Sequence, residues 1–189
     1  MVTLRSDRSY FIVILVTAVV LAGWTWALMA SRGFDEDSLR ILIRGTARSS
    51  AILFSLAFAA SSVHHFVRSD ITAVWLRWRP HLGLAFTVSH TVHLIFLILL
   101  QEYIHPVFTL AKATSLFAGG TAYLFMYLMA LTTFTAIKIR ISPWFWKYLH
   151  LIGSYWIWAI FFNSYLKNVI NRGRYHGLLA LLSIVMMLR

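Results

Sequence analysis

The chain has 189 residues, 60% of them hydrophobic and only 12% charged, with a mean hydropathy of +0.74. A soluble domain carries about 25% charged residues, so an ordinary soluble fold is excluded, and the formal charge of +11 reads as lysine and arginine gathered beside lipid headgroups rather than as a nucleic-acid footprint. Cysteine is missing altogether, which removes disulfides, thiol relays, iron–sulfur clusters and cysteine-held zinc.

Apolar runs predict an all-α polytopic membrane bundle of about six transmembrane helices, forming a single domain over residues 1–189. The first run, Ser9–Ala30, follows Arg5 and Arg8 in the manner of a signal peptide. However, it ends in Trp24, Trp26, Leu28 and Met29 with no small-x-small cleavage site, which predicts a retained span. The second, Ala47–Val67, finishes on the pair His64-His65. The third, His81–Leu100, opens with Arg77-Trp78-Arg79-Pro80, and Pro80 suits a first helical turn because its missing N–H has no partner there anyway. The fourth is Ala113–Ile137. The fifth, Trp144–Leu166, is announced by Ser142 as N-cap and Pro143 at the first helical position, with Trp144, Trp146 and Tyr148 as an interfacial belt. The sixth, Gly177–Leu188, has twelve residues and reads as a short or tilted helix.

The predicted connections, Ser31–Thr46, Arg68–Pro80, Gln101–Lys112, Lys138–Pro143 and Lys167–His176, are too short for a soluble domain. No glycine-rich nucleotide loop is present. With six spans and the N-terminus inside, nine basic residues fall inside and eight outside; the clusters Arg77/Arg79 and Lys138/Arg140/Lys147 decide for that orientation.

Histidine carries the functional signal. An imidazole in hydrocarbon is costly unless it binds something. His93 lies thirteen residues into the third run, about 20 Å deep, and His150 six residues into the fifth, about 9 Å deep. Two such residues on different spans suggest a pair of axial ligands for a haem. The competing reading for each is a hydrogen bond to Ser or Thr on a neighbouring helix. His90 sits one turn before His93 as an alternative ligand, and His81 is another, near the level of His150. His64 and His65 read as interfacial, and His105 and His176 as surface residues.

Two strings go further: Arg77-x-Arg79-x-x-Leu82-Gly83-Leu84 with His93 ten residues past the glycine, and Trp146-x-x-Leu149-His150-x-x-x-x-Tyr155. Over Arg77–Tyr165 the chain resembles the ferric-reductase-like transmembrane superfamily. That group includes the haem-binding membrane subunit of the periplasmic methionine sulfoxide reductase, the ferric-chelate reductases and the NADPH oxidases. The resemblance implies haem b held between the third and fifth helices by His93 and His150, in a bacterial inner (plasma) membrane. It implies electron transfer from quinol or a flavoprotein to an outer acceptor or a partner reductase. Quinone enters as a second candidate cofactor. Arg77 and Arg79 are then candidates to pair with haem propionates, since guanidinium suits a carboxylate; equally, they are membrane anchors.

One departure bears on haem number. Two-haem relatives place a second fifth-helix histidine about thirteen residues after the first, as the resemblance implies, and this chain has Asn163 there. The matching third-helix position is Arg79 or Pro80. One haem is therefore expected, two only if His81, His64 or His90 substitutes. Depth also conflicts with the motif, because His93 and His150 are not level. Two rival functions stay open: a haem-free subunit or assembly factor of the same fold, and a small proton-relay transporter.

Overall fold

The computed structural model describes residues 2–105 and 110–189. Pro106, inside the predicted Gln101–Lys112 connection, and the side chains of Arg5 and Lys112 lie outside the described residues. Among the described residues the chain forms seven helices and no strand: α1 Val2–Arg32, α2 Glu36–Phe66, α3 Asp70–Ile104, α4 Leu110–Leu131, α5 Thr135–Lys138, α6 Pro143–Arg172 and α7 His176–Met187.

Three helices are long and apolar enough to cross a membrane: α1 over Asp7–Arg32, α2 and α3. Phe11, Leu15, Val19 and Trp26 of α1 all face outward, Trp26 with 74% of its surface free, which is consistent with contact to lipid. α2 and α3 make the most extensive helix pair, an antiparallel hairpin; α1 lies mainly on α3, and α4, α6 and α7 pack in series, with α7 closing onto α2. Phe54, Phe58, Phe86, Met126 and Phe161 meet in the larger core, drawn from α2, α3, α4 and α6. A smaller core of Leu39, Leu42 and Phe96 joins α2 to α3 and receives Trp24 and Leu28 of α1.

The helices run well past the predicted apolar runs. α3 begins ten residues before Pro80, at a capping box in which Ser69 Oγ accepts from Thr72 N and Thr72 Oγ1 accepts from Ser69 N. Pro80 is thus inside the helix, not in its first turn, and the Leu76 carbonyl one turn earlier lacks its usual donor. Hydropathy alone misplaced this boundary, since the capping residues are polar. The fourth predicted run is likewise divided: α4 ends at Leu131, and Thr132 and Thr133 turn their hydroxyls back to the Leu128 and Met129 carbonyls. Asp7 of α1 then caps α5 by accepting from the Thr135 amide at 3.3 Å and its hydroxyl at 3.0 Å. Ser142 and Pro143 open α6 as their sequence predicts, with Ser142 Oγ accepting from Phe145 N at 3.1 Å.

α2 starts at Asp35, whose Oδ1 accepts from the Ser38 amide at 2.8 Å. The Ser38 hydroxyl, close by but outside hydrogen-bond geometry, and that amide hold the Asp35 carboxyl below its usual 3.8. A depressed carboxylate stabilises the fold above the unfolded value and loses that contribution as pH falls through the folded value. The stability gap between the native chain and Asp35→Ala is therefore expected to narrow as pH drops below 3.8, read as melting temperature against pH. A gap that holds constant into acid would refute the cap.

Candidate functional site: two histidine layers and a cationic cavity

The histidines fall into two layers. In the first, His90 and His93 stack on one face of α3 with ring centroids 5.2 Å apart. His93 Nδ1 lies 3.1 Å from both the Ile43 carbonyl and Thr46 Oγ1 on α2. A carbonyl only accepts, so Nδ1 carries the proton and Nε2 keeps the lone pair. This is the hydrogen bond to a threonine on a neighbouring helix. It is also the arrangement by which metal-bound histidines are usually oriented, so the bond alone does not separate the two readings. His90 is enclosed by Phe86, Tyr123 and Phe161, at 4.8–5.4 Å between centroids, and its Nδ1 is buried with no partner among the described residues.

A network of hydroxyls continues this layer between α2 and α3. Ser89 Oγ lies 2.7 Å from Ser49 Oγ and 3.0 Å from Ser50 Oγ, and Ser50 donates to the Thr46 carbonyl at 2.6 Å. Thr46, Ser49 and Ser50 escaped the sequence reading. Their spacing of three and four residues within an apolar run is the usual mark of a helix-contact stripe.

The second layer surrounds His150. Its ring rests on Trp146, 4.4 Å between centroids, and its Nε2 lies 3.1 Å from Thr132 Oγ1. The Thr132 hydroxyl donates to the Leu128 carbonyl at 2.8 Å, so His150 Nε2–H is the donor and Nδ1 keeps the lone pair. Beside it lies a cavity of about 180 Å³ reached by α1 through α6. Its apolar walls include Phe54, Phe58, Phe86, Met126 and Met129, while Arg79, Lys138 and His150 supply the charge and the imidazole. Gly83 opens onto it, and a methyl there would meet nothing within 4 Å. Gly153, one turn past His150, is close-packed instead, against Met129 and Phe125 of α4. Lys138 is the cavity residue that the sequence offered no reason to single out beyond its charge.

The structure does not bring His93 and His150 together. His90 touches Phe161, which is eleven residues beyond His150 along α6, a rise of about 16 Å. His93 is ten residues beyond Gly83, about 15 Å up α3 from the cavity. Two imidazole nitrogens on one metal ion sit about 4 Å apart, twice a metal–nitrogen bond. His81 lies 2.8 Å from Ser9 Oγ, between Tyr10 and Trp78, where it ties α1 to α3; it borders Tyr10 of the cavity wall but does not itself line the cavity. His64 bonds Thr72 at 2.9 Å across the α2–α3 turn, and His105 ends α3 in the left-handed region, with φ 40°. Among the described residues no three His, Cys, Asp or Glu side chains gather around a metal-sized point.

The cavity fits a haem in chemistry: one imidazole for the iron, apolar walls for the macrocycle, and two cations for the propionates. It does not supply a second axial histidine. Its volume is below the roughly 300 Å³ at which ligand pockets begin, so as it stands it is too small for a haem; Met126 and Met129 are the adaptable part of its wall. Aromatic side chains of α4 and α6 are engaged in packing and in bonds: Tyr123 to the His90 carbonyl, Tyr127 to Thr91, Trp156 to Thr121 and Trp158 to the Leu182 carbonyl. Comparison with protein-family models, with curated proteins and with solved structures finds no match to this chain.

Proposed function

We propose that the chain is an integral membrane haem b protein that carries electrons across the bilayer. The observation that carries this reading is the convergence of His150, Arg79 and Lys138 on one apolar cavity. The resemblance of Arg77–Tyr165 to the ferric-reductase-like superfamily supports it independently. In this reading the six apolar runs span a bacterial inner membrane with the N-terminus inside, and the cavity lies towards the inner face. Electrons come from quinol or a flavoprotein partner and leave to an outer acceptor or a partner reductase.

His150 would hold the haem iron, and Arg79 and Lys138, which line the same cavity, would pair with the propionates. When bound, the haem supplies a one-electron carrier. The chain's own contribution is positioning: Thr132 and Trp146 fix the His150 ring, and the phenylalanine walls give the site an apolar lining. His93 serves the α2–α3 interface rather than the same iron.

The haem-free subunit of the same fold is the second reading, favoured by one observation: the cavity, at about 180 Å³, is smaller than the usual ligand pocket. The proton-relay reading gains less, because along α2 and α3 the hydroxyl network is flanked by apolar clusters, Leu39, Leu42 and Phe96 beyond one end and Phe54 and Phe86 beyond the other. The test is an optical spectrum of detergent-purified protein, oxidised, reduced, and reduced under carbon monoxide. A b-type spectrum whose Soret band shifts with carbon monoxide is expected, because a single protein ligand leaves one axial position exchangeable. A sharp spectrum indifferent to carbon monoxide would restore bis-histidine ligation, and no Soret band after expression with haem supplied would leave the haem-free reading.

A further inference from the structure

The cavity rim carries more positive charge than the described structure balances. Arg79 is half-buried and its guanidinium donates to Ser61 Oγ at 3.0 Å, with no carboxylate within ion-pair distance among the described residues. Arg189 lies on the same side of the bundle, 4.3 Å over the Phe58 ring and bonded to the Phe58 carbonyl at 2.8 Å, so it adds to the positive field. Lys138 sits 4.7 Å over the Trp146 ring. The acids at this end of the bundle are Asp7, whose Oδ1 is engaged with Thr135, and Asp70, exposed in the first turn of α3 and in no ion pair with Arg79; the described ion pair, Arg40–Glu36, is at the start of α2. A guanidinium held at the edge of an apolar chamber, with four of its five N–H donors left over from Ser61, is a recognition element for a planar anion.

We infer that the cavity, widened by Met126 and Met129 swinging aside, takes an amphiphile whose carboxylate lies between Arg79 and Lys138 and whose apolar body lies against Phe54, Phe58 and Phe86. Two sources share this chemistry: the propionates of a haem, and the head of a free fatty acid entering from the bilayer. The inference shares its cavity with the haem reading but needs the cations and not the iron. An acid is therefore preferred over its uncharged ester whatever the apolar body.

Affinities of purified protein for four probes test this: palmitate, methyl palmitate, haemin and haemin dimethyl ester, with acetate as a competitor. Each acid is expected to bind at least about tenfold more tightly than its ester, the size of one charge-assisted contact, and acetate is not expected to displace palmitate. Arg79→Gln should erase the acid preference and Arg79→Lys should keep most of it. The wild-type comparison stands even if a variant fails to fold. Palmitate and its ester binding within about twofold would overturn the inference, as would displacement of palmitate by acetate, which marks a site for any small anion. Binding of palmitate but not of haemin would uphold the carboxylate clamp and remove the haem reading. Equal binding of haemin and its dimethyl ester would do the reverse.

Discussion

Replacing His150 with alanine is expected to strip haem from the purified protein, whereas His93→Ala is expected to leave the haem-to-protein ratio unchanged. The two residues are equivalent by motif but not by position. His150 borders the cavity with Arg79 and Lys138, and its loss removes the one imidazole there. His93 lies about 15 Å further along α3, with its Nδ1 proton committed to the Ile43 carbonyl. Its replacement removes a hydrogen bond worth about 0.5–1.5 kcal/mol and leaves that carbonyl to find another donor, so reduced thermal stability with full haem is the expected signature. A pyridine haemochrome assay on both variants decides the matter. Full haem in His150→Ala would sink the ligand assignment. Loss of haem in both, with helical content intact, would show that the loaded protein pairs them after all.

The second large effect is expected at glycine. Gly153→Leu should lower the melting temperature and weaken haem binding together, while Gly83→Ala should leave the melting temperature near wild type. A Cβ at Gly153 would stand 3.0 Å from Met129 Sδ and 3.2 and 3.3 Å from Phe125 Cδ1 and Cβ. The methionine can swing away, but Phe125 Cβ moves only with the α4 backbone. Overpacking of this kind costs about 1–3 kcal/mol, which for a chain of this size is a drop of up to about 12 °C. Because Thr132 follows directly on α4, separating α4 from α6 also draws the hydroxyl away from His150. Gly83 faces open cavity, so an added methyl meets nothing. Thermal denaturation in detergent, followed by circular dichroism, distinguishes the two. Equal melting temperatures for Gly153→Leu and wild type would refute the close approach.

These contrasts show what was legible beforehand. Ser142 and Pro143 disclosed the start of α6 because capping is local chemistry, decided within four residues. Ser69 and Thr72 carried the same kind of message for α3, but an apolar run beginning at His81 drew attention past them, and Pro80 was misplaced in consequence. The mismatch in depth between His93 and His150 was already implied by helical rise, and the packing of His90 on Phe161 repeats it in three dimensions. Thr46 was marked by its spacing to Ser49 and Ser50, but Thr132 and Lys138 were not recoverable. They reach their partners through helix contacts that no spacing along the chain encodes, and the charge of Lys138 looked like that of any loop lysine.

The hydroxyl contacts between α2 and α3 have a consequence for biogenesis. Of the three long helices, α2 is the least apolar, its best window reaching a hydropathy of 1.3 against 1.9 for α3 and 2.3 for α1. Alone among lipid tails it would present Thr46, Ser49 and Ser50 to a medium with nothing to offer them. Ser89 and His93 answer those groups from the adjoining helix, across a turn only three residues long. The hairpin thus carries its own partners for its polar seam, and in the membrane reading α2 and α3 are expected to enter the bilayer together rather than one after the other.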